Sequence, residues 1–286
     1  MIDYVKEIEK IIRNKIKLTE SEINKEGKNS SQKRFYAVFG KNISYSLSPI
    51  MHNTIFNEMN MNCEYAIVDE NIEECIKWIK EKGSGANVTI PYKTELIKFL
   101  DELSDDAKEI GAVNTINKTA DGKLIGYNTD YLAIRELISK FPGKVLIFGS
   151  GGAAKAAVYA AKGREIVLVS RNLDETKLEY AKWKIKLISY EEVESEIGNA
   201  GIIINATPAV PEIANFIDED KVIFDMRYNP LDIGLNKLAL EKGAKIIHGL
   251  EMLAIQAAEA QRIWFGKRAN SDIMLKAALD EMTKSK

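Results

Sequence analysis

Four short segments in the first half of the chain concentrate groups that could bind and protonate a small molecule. Ser46-Leu47-Ser48-Pro49-Ile50-Met51-His52-Asn53 sets two hydroxyls just ahead of a helical pattern. Asn87-Val88-Thr89-Ile90-Pro91-Tyr92-Lys93 offers an amide, a hydroxyl and an amine at the carboxyl end of an apolar strand. Gly111-Ala112-Val113-Asn114-Thr115 adds a second amide, and Gly126-Tyr127-Asn128-Thr129-Asp130 adds an acid. Ligands of parallel α/β sheets collect beyond the carboxyl ends of the strands, so the four segments read together as a pocket for a small hydroxylated substrate. Taken singly, each also reads as helix caps and turn residues, which Ser and Asn commonly supply.

A different chemistry is written at mid-chain. The apolar strand Val145-Leu146-Ile147-Phe148 runs into Gly149-Ser150-Gly151-Gly152-Ala153-Ala154, and an Ala-rich helix follows. This strand–turn–helix setting is what a Gly-x-Gly-x-x-Ala dinucleotide turn requires. Gly149 permits the tight turn, Gly151 lets the backbone approach a pyrophosphate, and Ala154 allows close helix–strand packing. Phosphates would sit on the free N–H groups of the helix N-terminus; the other reading is a purely structural glycine-rich turn. The next strand ends Val169-Ser170-Arg171-Asn172. An acid there would take the ribose hydroxyls of NAD, whereas the basic Arg171 favours the 2′-phosphate of NADP or is simply a solvated residue at a helix start. Turn and pocket together indicate a two-domain oxidoreductase.

Both features depend on elements that alternate. Val5, Ile8, Ile12 and Ile16 are spaced for a short amphipathic helix, and the polar stretch 21–33 reads as a linker; this appendage either packs on the body, frays, or forms an oligomer contact. Strands at 35–39, 63–68 and 85–90 then alternate with helices at 49–60, 72–81 and 92–100, and Asp121-Gly122 joins a hairpin of 113–118 with 123–127. A second series has strands at 144–148, 165–169, 202–204, 222–224 and 246–247, with helices at 151–162 and 235–242. From Leu250 onward the pattern is helical. The fold class expected is α/β, with a mostly parallel N-terminal substrate sheet and a Rossmann-like dinucleotide domain.

At 286 residues the chain is long enough for about two domains of ~150 residues. A net charge of −2 gives no electrostatic reason for a nucleic-acid or anionic-membrane partner. The apolar runs are strand-sized, so no transmembrane helix is expected, and the charged start is unlike a signal peptide. Cys63 and Cys75, the only cysteines, make no disulfide framework and fit a cytoplasmic protein. Two His and two Cys, scattered, show no metal-ligand spacing.

The residues quoted above, with Met252-Leu253 and Gln256-Ala257, resemble the shikimate dehydrogenase family over about residues 35–266. The resemblance implies NADPH-dependent, reversible reduction of 3-dehydroshikimate to shikimate. It implies a helical extension and linker at 1–33, a substrate-binding catalytic domain at 34–130 plus 249–286 to which the C-terminal helices return, and a dinucleotide domain at 131–248. Ser46 and Ser48 would bind the substrate carboxylate, and Asn87, Thr89, Asn114 and Gln256 the ring hydroxyls, with Tyr228 also contacting substrate. Gly149, Ser150, Gly151, Gly152, Ala153, Arg171, Asn172, Thr207 and Gly249 would hold the NADP. Lys93 and Asp130 would be the catalytic pair: a lysine beside a carboxylate can deliver a proton and stabilise a developing oxyanion. The resemblance leaves open a homodimer, a quinate-oxidising relative that also accepts NAD, and a non-catalytic regulatory relative. A methylene-tetrahydrofolate-type dehydrogenase shares the architecture, but Ser46-Leu47-Ser48-Pro49 argues against it.

The chain departs from the family pattern in places. Tyr131 stands where Gly usually follows Asn-Thr-Asp, and would narrow a cleft between the domains. Asn205-Ala206-Thr207-Pro208 is followed by Ala209-Val210-Pro211 in place of Val-Gly-Met. Asp225-Met226-Arg227-Tyr228-Asn229-Pro230 lacks the Thr expected beyond it, Asn172 replaces a Thr, and His248-Gly249 replaces Asp-Gly. His248 reads as a loop residue and not as a catalyst.

Overall fold

The computed structural model describes residues 3–16, 32–232 and 234–284. The chain runs α1 (Tyr4–Arg13), β1 (Arg34–Gly40), α2 (Ser48–Glu58), β2 (Cys63–Asp69), α3 (Ile72–Glu81), β3 (Gly83–Val88), β4 (Glu102–Leu103), α4 (Asp105–Ile110), β5 (Thr115–Lys118) and β6 (Leu124–Tyr127). It continues through α5 (Asp130–Ile138), β7 (Lys144–Phe148), α6 (Gly152–Ala160), β8 (Ile166–Val169), α7 (Leu173–Tyr180), β9 (Lys186–Ile188), α8 (Glu194–Ile197) and β10 (Ala200–Asn205). It ends with β11 (Val222–Asp225), α9 (Gly234–Glu241), β12 (Lys245–His248), α10 (Gly249–Phe265) and α11 (Ser271–Lys284). Contacts divide it into two units: Met1–Asn14 with Ala133–Met252, and Lys15–Leu132 with Leu253–Lys286.

The second of these units carries a mixed sheet in the order β2-β1-β3-β5-β6-β4. β1 lies parallel to β2 and β3, and β4 parallel to β6, while the β5–β6 hairpin pairs antiparallel with itself and with β3. Strand pleating sends alternate residues of β1 to opposite faces. Ala37 and Phe39 join Cys75, Ile76 and Ile79 of α3 on one side, and Tyr36 and Val38 meet Phe56 of α2 and Trp264 of α10 on the other. Trp264 can lie this close because residue 85 is glycine. A Cβ there would stand 2.5 Å from the indole nitrogen, which donates to the Ile116 carbonyl at 2.9 Å. Helix starts follow their caps: Asn71 accepts from the Glu74 N–H at 2.9 Å, and Ser104 from Ala107 at 3.2 Å.

The helix expected over 92–100 does not form. Only Glu95–Phe99 coil, as a 3-10 turn. The Lys93 carbonyl accepts from the Val113 N–H at 2.7 Å, so it is withdrawn from any helical ladder. β4 and α4, which the sequence pattern does not announce, fill the space after it. The C-terminal helical run is broken into α10 and α11 around Gly266, whose φ of 76° sits in the left-handed region.

The other unit holds six parallel strands in the order β12-β11-β10-β7-β8-β9. The order reverses between β7 and β10, the switch point at which doubly wound sheets bind ligands. Leu146, Phe148, Val167, Val169, Ile203 and Ile223 form its core. Helix α1 belongs here. Asp3 caps it by accepting from the Lys6 N–H, it packs on α9, and Ile8 and Ile12 are fully buried. The Lys237 ammonium of α9 lies 4.7 Å from the Tyr4 ring centroid. The expected linker falls outside the described residues up to position 31.

Two buried isoleucines one turn apart make α1 an integral part of its unit. Ile12→Ala is expected to lower the unfolding free energy by about 2–3 kcal/mol in chemical denaturation; an unchanged midpoint would mean that α1 is undocked in solution.

Candidate functional site

Lys93 and Asp130 come from two segments far apart in the chain. Beyond β3 the chain reverses, with the Tyr92 N–H bonded to the Thr89 carbonyl at 3.0 Å and the Tyr92 hydroxyl donating to Glu70 at 2.9 Å. This presents Lys93. Asp130 is the first residue of α5, where the helix dipole favours an anion. Asn128 caps that helix by accepting from the Tyr131 N–H at 3.2 Å, while its amide nitrogen donates to Ala112 at 3.0 Å. The result is an ion pair of 2.6 Å between Lys93 Nζ and Asp130 Oδ2, with the lysine side chain 18% exposed and the aspartate 4%.

Asn114 fixes the other carboxylate oxygen. Its Oδ1 accepts from the Thr129 backbone N–H at 2.6 Å, and a backbone donor leaves no choice about which way the amide points. Its nitrogen therefore faces acceptors: Asp130 Oδ1 at 2.8 Å, the Thr129 hydroxyl at 2.9 Å and Gln256 Oε1 at 3.3 Å. Both oxygens of Asp130 are thus held, one by an ammonium and one by an amide. Among the sequence-derived residues Asn114 sits directly on the Lys93–Asp130 pair, and Gln256 reaches it only through Asn114.

The network continues away from the pair. Asn87 donates to the Thr115 hydroxyl at 3.1 Å and to the Asn114 carbonyl at 3.3 Å, and accepts from the Tyr65 hydroxyl at 2.7 Å. The Tyr65 phenol is raised well above its ordinary range by burial, with a hydrogen bond to Ser48 acting the other way. Ser48 is the first residue of α2, and its N–H donates to the Ser46 hydroxyl at 3.3 Å. Thr89 stands at the end of β3, with its N–H on the Phe39 carbonyl at 2.8 Å. Ser46, Ser48, Asn87, Thr89, Lys93, Asn114, Asp130 and Gln256 therefore belong to one unit, and all but Thr89 lie on one hydrogen-bonded chain. Tyr65, Thr115 and Thr129 join it without having been singled out. The two threonines are inside the quoted motifs, while Tyr65 is one aromatic in an ordinary strand and carries no signal.

Tyr228 is not part of this cluster; it lies half-buried beyond β11 in the parallel-sheet unit, as do the dinucleotide candidates. Gly149 has φ 109° and packs on Ala206 and Thr207, so β7 and β10 meet at the switch point. Gly151 precedes α6, and a Cβ there would meet nothing within 4 Å. The turn is therefore open to a ligand on the side where Gly152 and Ala153 begin the helix. The Ser150 carbonyl is anchored by the Tyr180 hydroxyl at 3.0 Å. Arg171 is exposed at the carboxyl end of β8, free of the sheet; Asn172 instead caps α7, accepting from the Glu175 N–H at 3.4 Å. Open turn, helix N-terminus and exposed guanidinium fit a phosphorylated dinucleotide.

Thr207 donates within its own loop, to Asn205 at 2.8 Å or Ala209 at 3.0 Å. That loop is clamped from β11. Arg227 grips the fully buried Asp225 through Nε at 2.9 Å and Nη2 at 2.5 Å, and reaches the Pro208 carbonyl at 3.0 Å. Gly249 lies against the Met226 and Arg227 carbonyls, an approach that a Cβ would block. His248 corrects the sequence reading. It is not in a loop but fully buried at the end of β12, where Nδ1 accepts from the Leu250 N–H at 3.1 Å and Nε2 meets the Leu231 carbonyl at 2.9 Å.

Two family models match. The shikimate dehydrogenase substrate binding domain covers residues 38–116 and the shikimate 5'-dehydrogenase C-terminal domain residues 249–279. A shikimate dehydrogenase (NADP(+)) of Methanocaldococcus jannaschii is 37% identical over 281 residues, spanning 89% of this chain and 99% of the relative. That of Pyrococcus furiosus is 36% identical, spanning 87% and 97%. The chain belongs to the shikimate dehydrogenase family. Among solved structures, a shikimate dehydrogenase in complex with NADP+ superposes with a TM-score of 0.78 at 35% identity, covering 88% of this chain and 97% of that one. The Thermus thermophilus enzyme in complex with NADP(H) and shikimate gives 0.77 at 30%, covering 86% and 98%.

In this member of the family, His52 lies in the core of the mixed-sheet unit. It is fully buried, stacked on Tyr65 with centroids 4.2 Å apart, and Nδ1 takes a hydrogen bond from Gln261 at 3.1 Å. Burial pushes its pKa down to about 3 from 6.5. Below pH 6.5 the unfolded chain therefore binds a proton that the folded one refuses. Stability falls on acidification by up to about 1.4 kcal/mol per pH unit, until the folded value near 3 is reached. His52→Gln should remove that slope, so the stability gap between wild type and variant should shrink from pH 7 to pH 4 in urea titrations. A gap that stays constant with pH would show that His52 titrates normally.

Proposed function

We propose that the Lys93–Asp130 pair acts in the reversible interconversion of 3-dehydroshikimate and shikimate with NADP. The mixed-sheet unit binds the substrate and the parallel-sheet unit the dinucleotide. One observation carries the reading: an ammonium 2.6 Å from a carboxylate whose second oxygen is held by Asn114, in the same unit as the Ser46–Ser48 pair.

An ammonium has three N–H donors, and Lys93 uses one on Asp130, leaving others for a substrate oxygen. Asp130 orients the amine. In the reduction, NADPH when bound supplies the hydride to the carbonyl carbon. Lys93 stabilises the oxygen on which negative charge develops and passes it a proton, so a ketone plus hydride plus proton becomes an alcohol. The neutral Lys93 is reprotonated from solvent. Ser46 and Ser48, at the N-terminus of α2, suit a carboxylate. Asn87, Thr89 and Gln256 take ring hydroxyls, and Asn114 serves Asp130 first. Tyr228 is a further substrate-contacting residue. Gly149 to Ala153 hold the pyrophosphate, with Asn172, Thr207 and Gly249 nearby and Arg171 on the 2′-phosphate. The unpaired Cys63 and Cys75 support a cytoplasmic setting; among the described residues no helix is long and apolar enough to cross a membrane.

Absorbance of the reduced nicotinamide should rise when purified protein meets shikimate and NADP. Turnover of quinate, or with NAD, would move the assignment to broader-specificity relatives. Lys93→Ala should lower kcat about 10²–10⁴-fold with the folded state intact by circular dichroism; an unaffected kcat removes Lys93 from the mechanism. Arg171→Ala should raise KM for NADP far more than KM for NAD. Equal effects on the two would refute the 2′-phosphate role.

A further inference from the structure

We propose that Tyr131, through the bond its hydroxyl makes to Asp106, is a positioning residue for the Lys93–Asp130 pair; the proposal rests on the catalytic reading of that pair. Tyr131 follows Asp130 in the first turn of α5. Its ring is buried, and its hydroxyl donates to Asp106 Oδ2 at 2.6 Å, a half-buried, charge-assisted bond. The side chain thus turns toward α4 inside the mixed-sheet unit, where its phenol is already committed to a partner.

Asp106 sits at the root of the segment that builds the site. Ser104 caps α4, and Gly111 closes it with φ 72° and an N–H on the Ala107 carbonyl at 2.8 Å. The residues that follow touch the pair or the cap of the helix that carries Asp130. The Ala112 carbonyl receives Asn128, the Val113 N–H binds the Lys93 carbonyl at 2.7 Å, and the Asn114 amide binds Asp130. One short stretch therefore fixes the Lys93 backbone and the Asp130 carboxylate. Tyr131 is the side chain that ties the start of that stretch to the helix bearing Asp130. Without its hydroxyl, the first turn of α5 keeps the Asn128 cap, but α4 and α5 lose their direct polar tie. The pair is a short contact, so a displacement approaching 1 Å is enough to impair proton delivery.

The test is a double-mutant cycle of Tyr131→Phe and Asp106→Ala, assayed with shikimate and NADP. Each single variant should lower kcat about tenfold while moving KM for shikimate less than about twofold. The double variant should be no slower than the slower single one, because both remove the same bond. A merely structural tie would lower the melting temperature and leave kcat unchanged below it, which overturns the proposal, as would additive losses. The crystal structure of Tyr131→Phe supplies a readout independent of turnover. Separation of Lys93 Nζ from Asp130 Oδ2 beyond about 3.5 Å supports the positioning role, and a retained 2.6 Å contact refutes it. Should the wild type turn over no shikimate, the functional reading falls while this structural measurement still decides the positioning.

Discussion

A carboxylate whose two oxygens are each claimed by a different donor cannot rotate, and the site depends on this constraint. Asp130 faces an ammonium on one oxygen and an amide on the other. Neither partner is free to drift: Lys93 leaves a turn whose carbonyl is bonded to Val113, and Asn114 is oriented by the Thr129 backbone. A half-buried ion pair is weak evidence of stability, because desolvation offsets much of the attraction. Its value here is geometric. It holds the lysine aimed and partly exposed, as the proposed proton transfer requires. Asn87, Tyr65 and Ser48 extend the same logic outward. Each of these side chains finds a partner in another, so the cluster is held before any substrate arrives.

The parallel-sheet unit solves a different problem with backbone alone. At the switch point Gly149 lets the turn lie against Ala206 and Thr207, and Gly151 leaves its Cβ side open. Phosphate binding of this kind needs N–H groups and space, not side chains. The neighbouring loop is held by Arg227 and the buried Asp225, so residues that differ from the family pattern at 209–211 are still anchored by a strong local clamp.

Much of this was legible in the sequence, for identifiable reasons. Strand and helix alternation, the Asp121-Gly122 hairpin and the glycine turn are local signals, and each appears where its residues place it. What sequence missed depends on distant partners. The expected helix over 92–100 is undone by Val113, twenty residues away in the chain, which captures the Lys93 carbonyl. His248 looks like a loop residue beside Gly249, yet it ends a buried strand because both ring nitrogens find backbone partners. Tyr65 gave no sign of its place, since a tyrosine in a strand is ordinary until Asn87 and His52 are known to flank it. Tyr131 donates its hydroxyl to Asp106, a partner on another helix that its place after Asp130 does not announce.

Helix α1 has a consequence for how the molecule is made. Ribosomes release the chain from its amino end, so Ile8 and Ile12 emerge ahead of the rest of their unit. The helix they pack on, α9, spans Gly234–Glu241 and emerges only after more than two hundred further residues. Through most of synthesis α1 is a short amphipathic helix with no surface to cover its apolar stripe, and such helices are marginal alone. The mixed-sheet segments before Leu132 can collapse in the meantime, but α1 must wait. Its docking is therefore a late event in biogenesis, and until then its isoleucines are exposed to chaperones and to other nascent chains.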